Sequence, residues 1–416
     1  MKKLVILLLM TVSASAVLAQ NEPDPNDRAR DYPFIILDSP TRLLTMREVD
    51  QDYLSAYRLF ADTANKIFKP AISYLIQTAS CLFLLKTMTH EEGHRAILRQ
   101  EDIASETRPF LFEDRGGYVD GVTDQTLKNL RDTKFPTFIR LHTAGFESDY
   151  MLATREETLL SFEEERYKNL MVEYLFRKAA LLIYFTEGIF GRDSDGPEEA
   201  DELKRDIVGN DLYGVIRHLF RPTMEYRRYT RYSDLTNEEL RYLQRVQRRT
   251  FLNLVNANLS GTRNFQLTDN LKANLGMGHC MGPFGDFIDE KIWLSYRKDL
   301  KLNAYLREFE NRDHWSFGAG VGIHEYPLAR RLRISIMAHY WNQPVNLSFN
   351  SGTSKAGGAI EVDGSYKLMD PQKSRLKYLS LDMGMTYKTA GFLPEETALD
   401  RHLGFRLGLS LGLRGN

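Results

Sequence analysis

His90, Glu91 and His94 stand in a His-Glu-x-x-His order within Thr89-His90-Glu91-Glu92-Gly93-His94-Arg95-Ala96-Ile97-Leu98. Two histidines four residues apart on a helix leave from one face, so their imidazoles can share a metal ion. Nitrogen ligands of this kind suit zinc, which acidifies bound water and polarises a carbonyl. A carboxylate next to the first histidine can then take the water's proton and pass it to a leaving amine. The expected chemistry is hydrolysis of an acyl bond, with zinc as cofactor and Glu91 as the proton carrier.

Two histidines do not complete a protein ligand set. The best third candidate is Glu147 in His142-Thr143-Ala144-Gly145-Phe146-Glu147-Ser148-Asp149, because small residues at 144 and 145 let that backbone approach the metal helix. Asp149, His142 and Glu187 are alternatives. If Glu147 is the ligand, Asp149 or His142 could orient a ligating imidazole through a hydrogen bond. A plainer reading makes Glu147 and Asp149 first-turn helix carboxylates favoured by the dipole.

With Gly93 before His94, the pattern resembles the HExGH form of the zincin metallopeptidases. That resemblance implies catalytic zinc on His90 and His94, Glu91 as base, and a peptide or protein substrate. The metzincin extension is missing, since Arg99 and the residues beyond it supply no third histidine. The glycine form also occurs in intramembrane zinc proteases, whose Asp ligand in an Asn-Pro-containing helix has no equivalent here.

The elements that must hold these residues are helical. Apolar periodicity predicts helices over 47–68, 70–100, about 146–165, 167–190, 201–220 and 237–258. Pro70 suits a first helical turn, where its missing N–H costs nothing. Ala71 to Leu85 carries no formal charge, yet its length favours a buried core helix over a membrane span.

Beyond Leu271 the period changes to two. In His402 to Leu413, Leu403, Phe405, Leu407, Leu409, Leu411 and Leu413 alternate with small or polar residues, and Trp315 to His324 and Tyr378 to Tyr387 repeat the pattern. Weaker versions at 271–279, 292–297, 300–309, 332–341 and 359–368 bring the expected strands to eight. Eight strands of this length fit a small transmembrane barrel, which must close because an open edge in lipid leaves backbone groups unpaired. Ending on an amphipathic strand, the chain resembles bacterial outer-membrane barrel proteins. The alternative is an antiparallel barrel or sheet outside the membrane, with its Leu-rich face packed on the helical domain.

Met1 to Ala19 has the basic start, apolar core and small-residue end of a signal peptide. The 55 basic and 56 acidic residues balance, giving no electrostatic surface for nucleic acid. Cys81 and Cys280 read as two unpaired or buried thiols. Arg115-Gly116-Gly117-Tyr118 reads as a turn, and Arg227 to Tyr232 as surface packing or interfacial anchoring.

The expected fold is therefore α+β: signal peptide 1–19, extended segment 20–45, helical zincin-like metallohydrolase domain 46–262 and an eight-stranded transmembrane β-barrel 263–416. The expected function is zinc-dependent peptide-bond hydrolysis by an endopeptidase of the cell envelope, at the outer membrane and in contact with its lipid, with the helical domain periplasmic or apposed to the membrane. The alternative is a noncatalytic outer-membrane barrel whose helical domain binds metal or a partner.

Overall fold

The computed structural model describes residues 29–39, 44–81, 86–108, 117–190, 199–261, 264–297, 299–369 and 376–414. The leader expected at 1–19, residues 115 and 116 of the expected turn, and the side chain of Glu187 lie outside the described residues.

Among the described residues, eight α-helices form the first part: α1 Met46–Ile67, α2 Pro70–Ser80, α3 Lys86–Gln100, α4 Asp124–Thr133, α5 Phe135–Ser161, α6 Tyr167–Phe190, α7 Asp211–Phe220 and α8 Asn237–Arg249. Local chemistry sets several boundaries. Thr45 caps α1 by accepting the Glu48 N–H at 3.1 Å, a contact of a kind that contributes about 1 kcal/mol. Pro70 opens α2 as expected. The single helix expected over 70–100 is two helices, with residues 82–85 outside the described set. Asn210 accepts the Tyr213 N–H at 3.0 Å, which starts α7 at Asp211, ten residues later than its apolar pattern suggested. The helix expected near Phe146 begins at Phe135. Cys81 and Cys280 are free and buried. In the Arg227 to Tyr232 run, Arg228 is buried on Asp124 at 2.7 Å and on the Val122 carbonyl at 2.6 Å, so it packs the helical domain.

Two short strands, β2 Glu106–Arg108 and β3 Tyr118–Asp120, pair beside α3. The other strands are β1 Ala29–Ser39, β4 Phe265–Thr268, β5 Leu271–Gly282, β6 Gly285–Tyr296, β7 Leu300–Glu310, β8 Trp315–Ala329, β9 Leu332–Pro344, β10 Ser354–Met369, β11 Leu376–Lys388 and β12 His402–Arg414. They form one antiparallel sheet in the order β1-β12-β11-β10-β9-β8-β7-β6-β5-β4. All eight expected strands are in it. Two more flank them: β4, and β1 from the segment expected to be a simple lead-in, registered from Ala29↔Arg414 to Ser39↔Phe405.

This order corrects the barrel. Among the described residues β1 and β4 each have one strand neighbour, so the ten-stranded sheet has two edges and does not close. Closure was the physical condition for crossing a bilayer with strands. The transmembrane barrel, the outer-membrane location and the lipid partner expected from it therefore do not stand. Among the described residues, no helix is long and apolar enough to cross a membrane.

The alternative packing is also corrected. The small and polar face of the sheet lies against the helices: Ser316, Gly318, Gly320 and Gly322 are buried, while Phe317, Val321 and Ile323 are exposed. α5 runs along that inner face and fastens to it with polar contacts. Tyr150 donates to Asp289 at 2.7 Å, Lys291 pairs with Glu157 at 2.6 Å and the Trp293 indole donates to Thr158 at 3.0 Å. A second surface of α5 meets α3, so this one helix joins sheet to candidate site.

Candidate metal centre

α3 places His90 and His94 one turn apart with both rings buried, and α5 lies across them. The approach is close because Gly93 packs on the Ala144 carbonyl and Gly145 lies under the His90 ring. A Cβ at position 145 would sit 2.3 Å from His90 Nε2. The small residue at 145 thus has the steric role expected of it, and Gly93 supplies the close approach from the other helix. Gly145→Ala should displace the His90 ring and weaken metal binding at this cluster while the circular dichroism spectrum is retained. Undiminished metal binding in the folded variant would contradict this packing argument.

Each imidazole is oriented through Nδ1. His90 Nδ1 lies 3.0 Å from Asp149 Oδ2, and His94 Nδ1 lies 2.6 Å from the Leu141 carbonyl oxygen, to which it donates. Asp149 is itself held by Arg177, whose Nε donates to Glu173 at 2.6 Å, and Tyr53 donates to Glu173 at 2.7 Å. Tyr184 stacks on His90 with 4.7 Å between ring centroids. Hydrogen bonds of this kind fix which ring nitrogen is left for a ligand.

The remaining nitrogens converge on Asp211 at the start of α7. Its Oδ2 is 3.1 Å from His90 Nε2 and 3.6 Å from His94 Nε2. One donor atom from each of His90, His94 and Asp211 lies within 4.8 Å of the others, and all three residues are buried. The described residues thus hold a cluster able to bind a metal ion. Glu91 is buried beside it. Burial raises its carboxyl to about 7 against the opposing pull of His90 and His94, with Asp211 and Asp149 adding to the rise. Half-buried Asp206 stands near: burial, then the charges of Glu91 and Asp211, push its carboxyl well above the usual range.

The structure does not bring Glu147 to the histidines. Its carboxylate accepts from Arg140 Nε at 3.0 Å and from the Glu395 backbone N–H at 2.7 Å, and it is fully buried there. Helical geometry explains this: positions 147 and 149 are two residues apart, about 200° around the axis, so only one can face α3. Asp149 does, while Glu147 faces the link between β11 and β12. His142 is buried against Phe138, His218 and the space left by Gly214, without a hydrogen bond to either ligating imidazole. Burial lowers it to about 4. Asp211 had no distinguishing sequence signal. It is an ordinary first-turn acid far from His94 in the chain.

A pH dependence follows. Burial opposes the charge on His90, but hydrogen bonds to Asp149 and Asp211 outweigh it and raise the ring to about 10. Against an unfolded value of ~6.5, this stabilisation is complete below that pH and is lost as pH rises through the folded value. Chelator-treated protein should lose melting temperature from pH 6.5 toward 10 more steeply than a His90→Gln variant. Parallel melting curves would contradict it.

No protein-family model and no curated protein matches this chain. The expected fusion of a zincin peptidase to an outer-membrane barrel is corrected by the open sheet; what remains of it is the side-chain geometry of the His-Glu-x-x-His segment.

Proposed function

We propose that the protein is a zinc-dependent hydrolase of peptide bonds, with His90, His94 and Asp211 as the protein ligands of the metal and Glu91 as the proton carrier. The observation that carries this reading is the pairing of every Nδ1 with a protein acceptor while both Nε2 atoms meet one Asp211 oxygen. Two imidazoles and one carboxylate fit zinc, and three protein ligands are the pattern of catalytic sites, which keep a fourth position for water or substrate.

Zinc at this position would supply Lewis acidity and ease the ionisation of water. The chain's own groups do the rest. Asp149 and the Leu141 carbonyl hold the ring orientations, and the Arg177–Glu173–Tyr53 chain holds Asp149. Glu91 accepts a proton from the attacking water and returns it to the departing nitrogen as the C–N bond breaks.

The test is cleavage of a quenched-fluorescent peptide library by full-length protein that has been stripped with a chelator and reloaded with one equivalent of zinc. Cleavage restored by zinc and absent from the stripped protein is expected. A protein that takes up zinc through these residues and cleaves no member of the library would leave a metal-binding domain without this activity.

A further inference from the structure

A second convergence of metal-ligating side chains lies beyond the C-terminal end of α5. Glu164 is on the link between α5 and α6, and His324 and Glu325 are consecutive on β8. One donor atom from each lies within 4.8 Å of the other two. Consecutive residues of a regular strand point to opposite faces. Here the register of β8 against β9 shifts between Ile323 and Tyr326, which turns both side chains toward the helices. His324 is fixed by stacking on Phe162, with 5.2 Å between centroids, and its Nε2 is 3.0 Å from Glu164 Oε2.

The cluster is reachable. His324 and Glu325 line two cavities between the helices and the sheet, of about 580 and 450 Å³, and Glu164 lines the larger one. One imidazole nitrogen and two carboxylate oxygens make a donor set for borderline divalent metals. We propose that Glu164, His324 and Glu325 bind a second divalent cation, of the zinc or manganese class, independently of His90, His94 and Asp211. The cation ties the α5–α6 link to β8.

Two cations of the chain compete for the same oxygens: Lys301 pairs with Glu164, and Arg333 is 2.8 Å from Glu325. This competition separates a metal site from a set of ion pairs. Removing Lys301 weakens an ion-pair cluster but frees a ligand oxygen for a metal.

The experiment is zinc titration of the full chain against a chromophoric chelator, with elemental analysis at saturation. Wild type is expected to hold two zinc ions per chain. His94→Ala retains the second site, whereas His324→Ala and Glu164→Gln retain the first. Lys301→Met binds the second ion severalfold more tightly. Zinc should also raise the melting temperature of His94→Ala and leave that of a His94→Ala/His324→Ala double variant unchanged. The proposal is overturned if wild type takes up one ion and His94→Ala none, if the second ion persists in both His324→Ala and Glu164→Gln, or if Lys301→Met weakens it. Because the two sites are read in separate variants, failure of the first centre leaves this result interpretable. Glu164→Gln preserves side-chain shape, and its circular dichroism controls for folding.

Discussion

Asp211→Ala should lose stoichiometric zinc along with the stability its contacts to His90 and His94 contribute, whereas Glu147→Ala should lose stability and keep zinc in every folded molecule. The two carboxylates do opposite work. Asp211 is the shared partner of both Nε2 atoms, and His90 and His94 hold its carboxyl well below the usual range although burial alone would raise it. Removing it takes away one of three ligands. Glu147 neutralises Arg140, and neither side chain is exposed. Deleting one member of a buried pair leaves the other charge uncompensated and costs about 3–5 kcal/mol. Elemental analysis per folded chain, read beside urea denaturation, separates the outcomes. Zinc retained by Asp211→Ala and lost by Glu147→Ala would reverse the ligand assignment.

Glu91→Gln should keep zinc and lose about 10²- to 10⁴-fold in kcat/KM on any peptide the wild type cleaves, the range associated with a positioned proton carrier. Glutamine keeps the shape of the side chain but has no basic oxygen. The pH profile adds a second readout. Glu91 must be ionised to accept a proton, so activity falls as pH drops through its pKa. The carboxyl stands at about 7 with burial as the main cause, and a divalent cation nearby favours the charged form. The acid limb of the zinc-loaded enzyme should therefore lie below pH 7. Equal turnover by Glu91→Gln and wild type, both zinc-loaded, would remove Glu91 from the chemistry.

Local patterns made part of this molecule legible before any fold was known. Spacing alone put His90 and His94 on one helix face, and the size of Gly145 marked where a second helix could come close. Alternation showed that the later strands separate two environments. What stayed hidden depended on contacts between distant segments. The acid of the candidate centre is one of 56 acidic residues, and only the approach of α7 to α3 singles out Asp211. Alternation also cannot say which face lies inward. That was decided by the acids and hydroxyls of α5, which give Asp289, Lys291 and Trp293 partners on the small-residue face and leave Phe317, Val321 and Phe405 on the outer one. Nor does it say whether a sheet closes, since strands at an edge and strands in a ring have the same period.

The pairing of β1 with β12 has a kinetic meaning. Ala29 and Arg414 are register partners although almost the whole described chain lies between them. Closing so large a loop carries an entropic penalty before its contacts can compensate, and topologies dominated by distant pairings fold slowly. The hairpins from β5 to β12 can form locally, but β1 must wait for β12, the last strand of the sheet in chain order. Through that interval the nascent chain carries an unsatisfied strand edge, the feature most prone to intermolecular association, and its assembly is limited by the time its oldest segment takes to meet its newest.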